Sequence, residues 1–218
     1  MNKDSIIILS GGMDSVTLLY DYQERIQLAI SFDYGSKHNS CEIPYAELHC
    51  RRLGIEHVVI PLGFMQRFFH SSLLKGGEDI PEGHYADENM KSTVVPFRNG
   101  IMLAIAAGMA ECRGLKYVMM ANHGGDHAIY PDCRPEFVDA MDKAMAAGTY
   151  EGVKLLAPYT SLTKTQIALI GKRIGINYAE TWSCYKGGKT HCGKCATCVE
   201  RREALAGAGI TDNTEYEV

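Results

Sequence analysis

The chain lacks a long hydrophobic run: the longest apolar stretch, 101–110, lies between Arg98 and Glu111, well short of the ~20 residues a bilayer span needs. It also lacks an excess of positive charge. Lys and Arg number 22 against 26 Asp and Glu, a formal net charge of −4, so overall charge does not drive binding to polyanions. The opening residues, Met1-Asn2-Lys3-Asp4, run into a short apolar segment without the long apolar core or small-residue cleavage site of a signal peptide. Internal repeats and low-complexity segments are missing as well. These absences lead us to expect a cytoplasmic protein with no membrane partner and no direct nucleic-acid partner. What is present is ordinary globular material, 46% apolar and 22% charged in 218 residues, enough for one domain and a small remainder.

Short β-rich runs alternate with helical patterns. Strands are expected at 5–9, 26–32, 57–61, 116–121 and 152–156, and helices at 14–22, 43–53, 98–113, 134–147 and 163–174. Thr163 is a plausible cap for the last helix and Gly175 its stop. The stretch 63–92, with Gly76-Gly77, Pro81 and Gly83, reads as a long excursion carrying one short helix. Such alternation argues for an α/β fold, a mainly parallel sheet with helices on both faces. Ligands then belong beyond the carboxyl ends of the strands, in the loops after Leu9, Phe32, Pro61 and Ala121. Residues 207–218 read as a polar tail.

Ser10-Gly11-Gly12-Met13-Asp14-Ser15 follows the first strand directly and opens a helix. Exposed backbone N–H groups and the positive helix end meet there, which suits an anion. The glycines let a phosphate approach the main chain, and Ser10 and Ser15 add hydroxyls. Asp14 would repel a bare phosphate, so its functional role is to hold Mg²⁺; the alternative is an ordinary turn with Asp14 or Ser15 as helix cap. The loop is neither a Walker motif nor G-x-G-x-x-G.

Eight cysteines need an explanation in a reducing compartment. Cys184, Cys192, Cys195 and Cys198, spaced x7, x2 and x2, supply four thiolates suited to a tetrahedral structural zinc. An iron–sulfur cluster is the competing reading. His191 beside Cys192 is a bracing group or an alternative ligand. We divide the chain into an α/β domain, 1–178, and a C-terminal zinc-binding segment, 179–218.

The glycine string resembles the pyrophosphate loop of the adenine-nucleotide α-hydrolases, which cleave ATP between its α and β phosphates. Four further strings narrow the resemblance: Phe32-Asp33-Tyr34-Gly35-Ser36-Lys37-His38, Val95-Pro96-Phe97-Arg98-Asn99, Tyr130-Pro131-Asp132-Cys133-Arg134, and Thr181-Trp182-Ser183-Cys184-Tyr185 with the cysteines that follow. Together they are similar to the 7-cyano-7-deazaguanine (preQ0) synthases of the queuosine pathway, in the family's order and across nearly the whole chain. Departures fall at Met13, at Ser36-Lys37 and in residues 125–129.

The resemblance implies an ATP-dependent ligase. ATP adenylates 7-carboxy-7-deazaguanine, ammonia displaces AMP, and a second ATP activates the amide for dehydration to the nitrile. It implies ATP and Mg²⁺ at Leu9, Ser10, Gly11, Gly12, Met13, Asp14, Ser15, Asp33, Arg98 and Asn99, with Asp14, Arg98 and His38 as catalytic candidates. Tyr130, Asp132 and Arg134 are candidates for the substrate, Lys164 reads as a solvated lysine or a phosphate contact, and a homodimer is expected. Two rivals are a tRNA thiolase using Cys112 and Cys133, and a zinc-ribbon nucleic-acid module using Lys186, Lys189, Lys194, Arg201 and Arg202.

Overall fold

The structure, a computed structural model, describes residues 3–84 and 88–217. Five strands, β1 (Ser5–Ile8), β2 (Ile26–Asp33), β3 (Glu56–Pro61), β4 (Tyr117–Met119) and β5 (Lys154–Leu156), form one sheet in the order β3-β2-β1-β4-β5. Every pairing is parallel. Among the described residues seven α-helices connect and cover them: α1 (Met13–Asp21), α2 (Asn39–Leu53), α3 (Gly63–Phe68), α4 (Arg98–Cys112), α5 (Pro135–Gly148), α6 (Lys164–Ile174) and α7 (Ala196–Gly207).

Successive strand side chains point to opposite faces, and the core divides accordingly. Ile6, Leu28 and Ile30 pack with Leu103 and Ala106 of α4 and Met145 of α5. Ile7 and Ala29 pack with Val16 and Leu19 of α1, Ala46 of α2 and Ile167 of α6. Helices therefore cover both faces, as the sequence pattern led us to expect. The four clustered cysteines join the first of these cores.

Several details differ from the expectation. α2 begins at Asn39, because the Cys41 and Glu42 N–H groups already donate to the His38 carbonyl; Pro44 lies inside the helix instead of near its start. β4 and β5 are shorter than predicted. In the 63–92 excursion, residues 85–87 lie outside the described residues, and the rest holds α3 and a 3-10 turn at Glu88–Thr93. By length and composition one segment, Met90–Cys112, has the mean hydropathy of a membrane-spanning helix, 1.3. Phe97 at φ 53 interrupts it, and its helical part, α4, lies against β1 and β4, where a core helix must be apolar on most faces.

The tail is not loose. A parallel bridge joins His191 to Tyr216, and the Arg201 guanidinium donates to Thr214 Oγ1 at 2.8 Å. Arg201 is fully buried; it also donates to Thr181 Oγ1 and the Tyr178 carbonyl, with Asp212 at 3.7 Å.

Candidate active site

In an open parallel sheet the strand order reverses at one point, and the crevice beyond the strand ends opens there. Here the reversal lies between β1 and β4. A cavity of about 210 Å³ occupies that position, lined by the loops after β1, β2 and β4 and by the amino end of α4. The loop after Pro61, the fourth place expected, does not reach it.

Leu9, Ser10, Gly12, Met13, Asp14 and Ser15 all line the cavity. Gly11 turns the other way at φ +96, and a Cβ there would overlap the Glu42 carbonyl oxygen, so glycine lets the loop sit directly on α2. The Ser15 hydroxyl accepts from the Ser10 and Gly11 N–H groups at 3.3 Å, and Gly12 N–H donates to Ser10 Oγ at 3.0 Å. Both serines thus hold the loop in shape. Trp182 N–H donates to the Gly11 carbonyl at 3.1 Å, so the C-terminal segment braces the loop from outside.

A cluster of charges sits beside the loop. Lys164 Nζ lies 3.1 Å from Asp14 Oδ2 and 2.8 Å from Glu200 Oε2, and its side chain is 9% exposed. The solvated reading of Lys164 is therefore wrong: α6 delivers it into the site. Burial works against its ammonium, and Asp14, Glu200 and Asp126 outweigh that effect, so its pKa stands above the ordinary lysine value. Gly125 N–H donates to His123 Nδ1 at 3.0 Å, which leaves Nε2 facing Asp14, Asp126 and Glu200 at 3.6–3.9 Å. Asp14 Oδ1 is buried without a hydrogen-bond partner. An anionic oxygen in that state suits a hard divalent cation.

The facing wall comes from α4, the loop after β2 and the start of α2. Arg98 Nη1 donates to Tyr34 Oη at 3.2 Å, and Tyr34 Oη lies 3.3 Å from His38 Nε2. Burial opposes the Arg98 charge, but Tyr34, Asp132 and other tyrosines hold its pKa well above the usual value. Burial, assisted by Arg98, pushes His38 down to about 3. Glu42, one turn beyond His38, also faces the cavity; burial pushes its carboxyl up to about 8 against the pull of Arg98. Tyr130 completes this wall, its hydroxyl 2.9 Å from Thr93 Oγ1.

Three other sequence candidates lie elsewhere. Asp33 is exposed at the end of β2 and accepts from Gly35 N–H at 3.2 Å. Asp132 caps α4 by accepting from Asn99 N–H at 2.8 Å, while Asn99 itself reaches the cavity. Arg134 is exposed and donates to the His127 carbonyl; it makes no ion pair with Asp132. Conversely, the sequence offers no reading that includes Glu42, His123 or Glu200, and for Lys164 it offers a phosphate contact but not the ion pairs with Asp14 and Glu200. His123 follows the fourth strand at the switch point, and Glu42 follows His38 by one helical turn. Those positions were the available signals.

The sulfurs of Cys184, Cys192, Cys195 and Cys198 are buried and lie within 4.8 Å of one another. Tetrahedral thiolate ligands at ~2.3 Å from an ion stand ~3.8 Å apart, and Cys192 Sγ and Cys198 Sγ are 4.0 Å apart. Lys194 and Cys195 N–H groups donate to Cys192 Sγ at 3.4 and 3.3 Å, and Gly193 at φ 71 permits that tight turn. The residues therefore fit a four-cysteine metal site with its thiolates already oriented. Ser183 N–H donates to His191 Nε2 at 3.0 Å, so His191 braces the segment and stands outside the sulfur set. Arg201, counted on sequence among a basic cluster, is buried, and Lys186 pairs with Glu82 at 2.6 Å. Cys112, expected in a buried helix, is exposed.

A five-stranded parallel sheet with a glycine loop at its switch point defines the class: an α/β protein with a doubly wound parallel sheet. The solved structure of NMN synthetase from Francisella tularensis shares this fold at TM-score 0.51 and 13% identity, over 97% of this chain and 79% of that one. Residues 4–209 match the model of the Queuosine biosynthesis protein QueC, and the chain belongs to that family. A protein of Porphyromonas gingivalis (strain W83) named 7-cyano-7-deazaguanine synthase is 65% identical over 99% of this chain and 98% of its own. One of the same name from Desulfotalea psychrophila is 53% identical over 99% of each.

Proposed function

We propose that the chain is an ATP-dependent ligase that converts 7-carboxy-7-deazaguanine and ammonia to 7-cyano-7-deazaguanine, releasing AMP and pyrophosphate. The observation that carries this reading is one cavity with a glycine loop on one wall and Arg98 on the other. Ser10, Gly12 and Ser15 receive the pyrophosphate end of ATP at the start of α1, where the first N–H groups of a helix lack intrahelical partners, while Gly11 seats the loop on α2. Arg98 faces the α phosphate and steadies the charge that grows as its bond to pyrophosphate breaks. Asp14 would hold Mg²⁺ through its unpartnered oxygen, and the ion when bound offsets the charge of the phosphates. Lys164 holds the Asp14 carboxylate in place through their 3.1 Å ion pair.

No step asks for a protein nucleophile. Twice an oxygen of the substrate is turned into a leaving group by adenylation, first from the acid and then from the amide. Of the three substrate candidates, Tyr130 faces the cavity and is retained; Asp132 and Arg134 support the wall behind it. We read the four-cysteine site as structural zinc, whose closed coordination leaves no position for substrate, and residues 179–218 as a metal-ordered segment fastened on 1–178. A cytoplasmic homodimer with no nucleic-acid partner completes the proposal. The thiolase rival needs a reactive thiolate, whereas burial drives the Cys133 thiol far above its ordinary pKa.

The test is direct. Continuous turnover to AMP and pyrophosphate should require both 7-carboxy-7-deazaguanine and ammonium, with the nitrile as product by mass. Absence of turnover with that acid refutes the assignment.

A further inference from the structure

Both nitrogen steps of the proposed reaction release protons, and something in the cavity must receive them. Three carboxylates stand on the cavity wall among the described residues: Asp14, Glu42 and Asp126. Asp14 is paired with Lys164, and Asp126 accepts from His123 N–H at 3.1 Å. Glu42 is uncommitted. Among the described residues the one group within ion-pair range of it is His38, with Nε2 at 3.8 Å from Oε2, and the Glu42 side chain is 13% exposed.

Its position is fixed by main-chain packing. Gly11 has no side chain, so the Glu42 carbonyl rests directly against the glycine loop and places the start of α2 beside it. Glu42 Oε1 then lies 3.8 Å from the point a Cβ on Gly12 would occupy. The carboxylate thus stands between the phosphate loop and the Arg98–Tyr34 wall, where an adenylated carbonyl carbon must sit if its phosphate is on the loop.

We propose that Glu42 is the general base for nitrogen: it takes a proton when ammonia attacks the acyl adenylate, and another when the adenylated amide becomes the nitrile. This rests on the reading of the preceding subsection. In the first step the nitrogen lone pair forms the C–N bond, the C–O bond to AMP breaks with its pair leaving on AMP, and a proton of the cationic nitrogen passes to Glu42. In the second, the N–H pair becomes the third C–N bond, the C–O bond to the second AMP breaks, and that N–H proton passes to Glu42. Between steps the proton leaves to solvent through the cavity mouth. His38 is the weaker candidate, since burial leaves it barely basic.

The groups facing Glu42 are His38 before α2, Tyr34 after β2 and Arg98 from α4. A carboxyl poised near the working pH is well placed for proton transfer; with a value of about 8, its active, ionised fraction rises with pH through that region.

Glu42→Gln keeps shape and removes the basic oxygen. We expect ammonia-dependent nitrile formation to fall about 10²–10⁴-fold, with the alkaline rise of kcat lost. Exchange of labelled pyrophosphate into ATP, driven by the acid without ammonia, needs no base and should fall far less. Hydroxylamine, already neutral near neutral pH, should restore attack on the adenylate and give the hydroxamate at close to the wild-type rate. Turnover with ammonia within threefold of wild type overturns the proposal, as does loss of exchange in proportion to turnover, which would make Glu42 a support for the loop. If wild-type protein shows no acid-dependent exchange, the reaction itself is misassigned and the role of Glu42 falls with it.

Discussion

Replacing Lys164 by methionine keeps most of the side-chain volume and removes the cation between Asp14 and Glu200. The ammonium is 9% exposed and the two carboxylates 19% and 18%, so water screens little of what is lost. Breaking a buried pair by removing one partner costs about 3–5 kcal/mol, against a total stability of about 5–15 kcal/mol. For a chain of this size that is a fall in Tm of about 6–20 °C. Because the pKa of Lys164 is higher in the fold than in the unfolded chain, its contribution is complete below about pH 10.4. It is lost only as pH rises through the higher folded value, so the gap between wild type and Lys164→Met should be flat between about pH 7 and 9. Urea unfolding of the metal-loaded protein at several pH values measures this. Adding Glu200→Gln should recover part of the loss, with a coupling of about 0.5–3 kcal/mol. A cost below about 1 kcal/mol for Lys164→Met, or no coupling, would refute the idea that this lysine neutralises the cluster.

Three other changes are informative. Cys195→Ser removes one of four thiolates; elemental analysis should show the bound metal lost, and because apparent binding of about 10 kcal/mol or more rivals the stability of the whole chain, α7 should lose its amide-exchange protection. Gly11→Ala must leave φ +96 and displace the Glu42 carbonyl, so it should cost clearly more than Gly54→Ala, where φ is +63 with nothing within 4 Å and only the left-handed cost of about 1–2 kcal/mol applies; paired denaturant curves decide. Arg201→Met removes the donor to Thr214 Oγ1, one of the donors to the Tyr178 carbonyl and the cation 3.7 Å from Asp212, so limited proteolysis should cut near residues 210–217 in the variant while sparing the parent.

The glycine loop, the parallel sheet and the cysteine set are legible because each is written in consecutive residues or in regular periods. The charge cluster is not. Asp14, His123, Lys164 and Glu200 come from α1, the loop after β4, α6 and α7, and nothing local marks them as neighbours. Lys164 at a capped helix start looks like a solvated residue; only the packing of α6 on α1 and α7 buries it. Asp132 and Arg134, two apart in one string, invited a joint role, but a 3-10 turn at Pro131–Cys133 sends one to cap α4 and the other to solvent. Arg201 illustrates the same limit: in a run of charges it reads as surface, and its partners in the tail exist only after the chain has folded back.

Trp182 is the chain's single tryptophan. Its main-chain N–H holds Gly11, its indole N–H donates to the Cys184 carbonyl at 2.8 Å, and its ring lies 4.2 Å from that of His191. The molecule therefore carries one indole fluorophore, distinguishable from its tyrosines by selective excitation and buried at the joint between the glycine loop and the four-cysteine segment. Its emission should shift when a ligand settles on the glycine loop from one side or when the cysteine cluster is disturbed from the other, without a label, so the order in which the two parts assemble can be followed by light alone.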